Sequence, residues 1–138
     1  MKKRAARLVT VLALLLSLCL LAACHDLAEG FEEDKMHEIG CQVIELCNAR
    51  DYEGVLAMFD QELLGDVAVS DLADQLDPIL DDLGAFEEFK TYAVAGSEDG
   101  NSGMDLGILA MRCAYENGKA LYTITMTDEY QLVGLFVQ

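Results

Sequence analysis

The sequence has no tryptophan, a single proline (Pro78) and two histidines, and only five of its nine bases lie beyond residue 7. Each shortage excludes something. Few bases and an acidic total of 25 Asp plus Glu argue against nucleic-acid binding, which needs a basic footprint to neutralise phosphates. No GxSxG, HExxH, P-loop or dinucleotide fingerprint occurs, so no motif points to a hydrolase, metallopeptidase, nucleotidase or nicotinamide enzyme. No CxxC or HxxxH is present to suggest a metal. There is no internal repeat, low-complexity tract or proline-rich linker. At 138 residues the chain fits one small domain plus a targeting segment, too little for a large barrel or a two-domain enzyme.

What is present begins with an export signal. Lys2, Lys3, Arg4 and Arg7 precede an uncharged run from Leu8 to Ala23. Sixteen helical residues extend about 24 Å, short of the ~30 Å bilayer core, which favours a signal segment over a transmembrane helix. The run ends in Leu21-Ala22-Ala23-Cys24, which resembles the lipobox of bacterial lipoproteins. The resemblance implies a diacylglyceryl group on the Cys24 thiol and cleavage just before it. Residues 1–23 are then a lipoprotein signal peptide, 24–34 a lipidated cysteine with a short acidic tether, and 35–138 a single domain. From Cys24 onward, five bases face 25 acids, a formal charge of −20. Such a chain repels an anionic lipid surface, so attachment to the membrane rests on acyl chains. The expected location is the bacterial cell envelope, at the outer face of the cytoplasmic membrane.

The domain reads as helices followed by strands, an α+β order. Met36, Ile39, Val43, Leu46 and Cys47 recur at helical spacing over 34–49. Asp51 caps a second short helix bearing Tyr52, Val55, Leu56 and Phe59. Ser70 is the expected cap of a third, whose apolar face is Leu72, Leu76, Ile79, Leu80 and Leu83. Pro78 predicts a kink or restart near Asp77, and Gly84 ends the helix. Four strands are predicted: Phe86–Ala95, Ile108–Tyr115, Leu121–Thr127 and Tyr130–Val137. Ser97–Gly103 is loop material, and Asn117-Gly118 predicts a type I′ hairpin turn with positive φ.

The order Leu83-Gly84-x-Phe86, long strand, loop, strand ending Tyr115-Glu116-Asn117-Gly118, strand, turn and Val133-Gly134-Leu135 resembles a bacterial family called domain of unknown function 3887. The resemblance spans roughly Ile39 to Phe136. It implies a nuclear-transport-factor-2-like, cystatin-like cone, in which a curved three- to four-stranded antiparallel sheet wraps a helix and leaves a pocket at its open end. The family brings no catalytic residues to carry over.

Candidate chemistry is sparse. His25 follows Cys24 on the tether. His37 and Cys41 share a helix flank and could supply two metal ligands, fewer than zinc needs, so no metal and no cofactor is expected. Cys19 is discarded with the signal. Cys41 and Cys47 are about 9 Å apart along one helix, too far for a disulfide. Cys47 and Cys113 both face the predicted core, as free thiols or as a bridge. Asp99, Asn101, Gly103 and Asp105 resemble the start of a calcium loop, but Ala110 stands where the bidentate Glu belongs. Asp81-Asp82 and Glu87-Glu88 read as solvated surface. Tyr92, Tyr115 and Tyr122 are candidate pocket residues on strands, with core packing as the alternative.

The expected function is therefore a lipid-anchored extracytoplasmic binding or scaffold domain. Its partner is an apolar or cationic small molecule or peptide, favoured by the acidic surface. The alternative is a small cone-fold isomerase- or hydratase-like enzyme using a pocket carboxylate or tyrosine. Fold alone does not license that reaction.

Overall fold

Helical spacing and strand alternation both appear where the pattern places them in the computed structural model, which describes residues 26–138. Helix α1 spans Glu33–Asn48, α2 Tyr52–Ala57, α3 Gln61–Leu64 and α4 Val69–Leu83. Strands follow at β1 Phe86–Glu98, β2 Asp105–Tyr115, β3 Gly118–Met126 and β4 Leu132–Val137. They form one antiparallel sheet in the order β1-β2-β3-β4. The helices pack against one face of it. Among the described residues no helix is long and apolar enough to cross a membrane.

Register assigns the two faces. Tyr92, Met111, Tyr122 and Val137 form one row across the four strands, and Val94, Leu109, Ile124 and Leu135 the next. These rows point at α1, whose buried residues are Met36, Gly40, Val43, Ile44 and Cys47. Gly40 sits in the middle of that seam. A Cβ there would come within 2.5 Å of Met111 Sδ and closer still to Leu109 Cδ2. The helix rests directly on β2, and glycine is what allows it. Burying this seam is the main source of stability, at roughly 25 cal/mol per Å² of apolar surface.

Three local expectations are corrected. Helix α4 begins at Val69 rather than after Ser70: the Asp71 carboxylate accepts the Ala68 N–H at 2.8 Å and fixes the start two residues earlier. It also runs through Pro78 without a restart. Pro78 and Asp74 are both exposed, so the Asp74 carbonyl that loses its partner faces water. Arg50 braces the same stretch, donating to Asp77 at 2.9 Å and to Asp81 at 2.8 Å, one turn apart across the proline.

The third correction concerns the β2–β3 turn. Tyr115 pairs with Gly118, so Glu116-Asn117 is a two-residue loop, but neither Asn117 nor Gly118 has positive φ. Tertiary bonds override the local preference. The Glu116 N–H donates to Ala85 O at 2.8 Å and the Asn117 N–H to Leu83 O at 2.9 Å. The turn is thereby tied to the α4–β1 junction, where Gly84 takes φ 74° and ψ −149°.

The strands differ at their ends from the sequence reading. The β1–β2 hairpin continues to Glu98 and Asp105 through the facing pair Gly96 and Gly107. Gly107 leaves room for Phe31 and the tip of Met36, which a Cβ there would meet at 2.9 and 2.8 Å. Tyr130 lies outside β4 with φ 61°, in a turn closed by Thr127 and Gln131. Its ring meets Phe31 edge-on, and its hydroxyl accepts from the Glu32 N–H at 2.9 Å. Leu27 and Phe31 pack against the core, so the segment expected as tether is already docked from Leu27 on.

Candidate functional site

The three candidate pocket tyrosines do not share a pocket. Tyr115 and Tyr122 are buried at 4% and 0% exposure, in the core between α1 and the sheet. The Tyr115 hydroxyl donates to Asn48 Oδ1 at 2.7 Å, which leaves its oxygen to accept from the Tyr122 hydroxyl at 2.6 Å. Among the described residues no buried side-chain oxygen or nitrogen lacks a hydrogen-bond partner. Burial pushes Tyr115 up to about 12 and Tyr122 higher still, so neither exchanges protons near neutrality. Tyr92 lies on the same face but at the sheet edge, 39% exposed. It stacks on His37 of α1, with ring centroids 4.2 Å apart.

His37 Nε2 also sits 3.7 Å from Cys41 Sγ. No third ligand joins them: among the described residues no group of three His, Cys, Asp or Glu is arranged to hold a metal. Burial, then the charge of Glu45, raises the Cys41 thiol, which disfavours the reactive thiolate. Cys41, Cys47 and Cys113 are all free, so the Cys47–Cys113 bridge is not formed. In the Asp99 loop the carboxylate is used locally. It accepts from the Ser102 N–H at 2.8 Å and from the Ser102 hydroxyl at 2.6 Å. Those bonds hold its pKa below the ordinary value. Cys24 and the box Leu21, Ala22 and Ala23 lie outside the described residues.

The buried acids predict an alkaline transition. Burial raises Cys47 from 9.0 to about 12, Cys113 from 9.0 to about 11, and Tyr115 from 10.0 to about 12. A raised folded-state pKa contributes stability that is complete below the unfolded value and lost as pH rises through the folded one. The urea midpoint should therefore stay level to about pH 9 and fall between about pH 9 and 12. A midpoint unchanged between about pH 8 and 11 would contradict these burials.

A small concavity of about 130 Å³ lies on the helix side between α4 and Leu135, and two larger ones lie on the other face of the sheet, where among the described residues only Leu63 of α3 reaches the rim. The rows here are Thr91, Arg112 and Leu121, then Ala93, Ala110, Thr123 and Phe136, then Ala95, Ile108, Thr125 and Gly134. Phe136 is 60% exposed. Two hollows occupy this face. One of about 390 Å³ is lined by Leu63, Met104, Leu106, Val133 and the Asp99 loop. The other, of about 530 Å³, is lined by Lys90, Thr91, Arg112, Lys119, Leu121 and Gln138, with the Cys113 and Ala120 strand pair as its floor.

Three of the five bases beyond residue 23 thus meet in one hollow. Sequence reasoning missed this group. Alternation alone would place Arg112 opposite Leu109, Met111 and Cys113, and Lys119 opposite Ala120 and Tyr122. Lys90 was not legible, because it is the extra residue of a bulge between the pairs Phe89–Cys113 and Thr91–Arg112.

Helices packed on a four-stranded antiparallel sheet define an α+β domain. The chain belongs to the family described as "Protein of unknown function (DUF3887)", which it matches over residues 41–135. It is also similar to a protein from Ruminococcus gnavus ATCC 29149 solved by NMR, with a TM-score of 0.72 and 24% identity. That likeness covers 82% of this chain and 96% of the other, and it establishes the fold alone. No curated protein matches the chain.

Proposed function

We propose that this protein is a lipid-anchored extracytoplasmic binding domain that meets its ligand on the uncovered face of its sheet and does not turn it over. One observation carries the reading: the space between the sheet and α1 is filled by Met36, Leu109, Met111, Tyr122 and Ile124, while hollows of about 390 and 530 Å³ open on the opposite face and the hollow between α4 and Leu135 is smaller, about 130 Å³. The buried tyrosines reach no solvent, and no nucleophile–base pair converges on either hollow. Pockets of this size suit small molecules or short peptides.

The anchor fits the same picture. With Leu27 already packed on the core, two residues separate Cys24 from the docked chain. The domain would then stand directly on the bilayer. Labelling cells with a clickable fatty acid should tag the wild type and leave Cys24→Ala untagged and released from membranes. Equal labelling of the two would sink the anchor.

Binding is tested on the full chain in neutral detergent by thermal shift against metabolites and envelope peptides. Hits should raise the melting temperature, and Thr123→Trp on the outer face should abolish those shifts. Hits untouched by that substitution would place the site elsewhere. Turnover of a hit would replace binding with catalysis.

A further inference from the structure

We propose that the hollow around Arg112 binds a small oxyanion, a carboxylate or phosphate carried on an apolar body. This rests on the outer sheet face being the binding surface and adds the chemistry of its ligand. Charge points to it first. From Cys24 onward 25 acids outnumber five bases, so a base without an acid beside it is unusual. Among the described residues Lys35, Arg50 and Lys90 each pair with an acid, whereas Arg112 and Lys119 make no ion pair. Both line the hollow, together with Lys90.

Geometry points the same way. Arg112 pairs with Leu121 and Ala114 with Lys119, so Arg112 and Lys119 are diagonal neighbours on one face, about 7 Å apart at Cβ. At that spacing one oxyanion can bridge a guanidinium and an ammonium, with Arg offering a bidentate fork. Thr91 stands opposite Arg112 on the other side and adds a hydroxyl. The bulge turns Lys90 to the same rim. Beyond this polar end the surface continues into Leu121, Ala93, Ala110 and Phe136, which suit an apolar body.

Position favours a soluble ligand over the protein's own bilayer. The docked N-terminal segment lies at Gly107, and Arg112 is five residues further along β2, about 17 Å away. An anchor at Cys24 therefore sets the basic hollow away from the membrane.

The test follows backbone amide shifts of the full chain in neutral detergent. The probes are phenyl phosphate, benzoate, benzyl alcohol, benzylamine and dihexanoyl phosphatidylglycerol. Phenyl phosphate and benzoate should move the Thr91, Arg112 and Leu121 amides, and more weakly at high salt. The double variant Arg112→Gln, Lys119→Gln should raise their dissociation constants at least tenfold, its amide spectrum showing that the fold is kept. Benzylamine binding as tightly, or anions binding the double variant equally well, overturns the anion site. If benzyl alcohol then still moves outer-face amides, the binding surface survives without its anion chemistry. If no probe moves that face, both readings fail. Shifts by the lipid alone would overturn the soluble ligand.

Discussion

Replacing Gly40 by valine is expected to lower stability by about 2–3 kcal/mol, the usual cost of forcing extra volume into a packed core. The new side chain would drive into Leu109 and Met111 on β2 and lift α1 from the sheet. Alanine at the same place should cost less, about 1 kcal/mol, because its Cβ meets the same two buried side chains but adds nothing beyond it. The helix gains about 1 kcal/mol from losing a glycine, while the tips of Leu109 and Met111 must give way. Leu109→Ala alone should cost about 2–5 kcal/mol through the cavity it leaves. Combined with Gly40→Val, it should cost less than the two singles together by about 1 kcal/mol or more, because the valine fills what the leucine vacates. Urea denaturation measures all four variants. Additive losses would mean that helix and strand do not touch at this point.

Gly84→Val should cost about 3 kcal/mol, and Gly118→Val less than about 1 kcal/mol. At φ 74° and ψ −149°, Gly84 occupies backbone space that is essentially reserved for glycine. A Cβ there would also come 2.9 Å from Asn117 Nδ2 and 3.0 Å from Glu116 Oε2. The bonds from the α4–β1 junction to the β2–β3 turn would be pushed apart with it. Gly118 has no positive φ, and a Cβ there meets only Leu83 Cδ2 at an ordinary 3.4 Å. The turn motif alone would rank these two glycines the other way. Thermal melts of both variants decide the order. Equal losses would show that the turn does need its glycine, against the geometry described.

The sequence by itself determined the class of fold, the number of helices with a buried apolar face and the four strands. These follow from periodicity, which local chemistry sets: Met36, Val43 and Cys47 share one helix face whatever they pack against. It also determined that Asp51 caps α2, since that bond to the Gly54 N–H spans three residues. Tertiary structure decided what depended on distant partners. Pro78 stays within α4 because the carbonyl it orphans faces water and Arg50 braces both sides. Asn117-Gly118 gives up the positive φ of its motif because Leu83 and Ala85 claim the turn's N–H groups. The tyrosines looked like pocket residues until Asn48 and α1 closed over two of them. The net charge of the chain predicted cationic partners, yet strand register and one bulge collect Lys90, Arg112 and Lys119 in a single hollow. An average over the whole sequence carries no position, and only the pairing of strands places those three charges side by side.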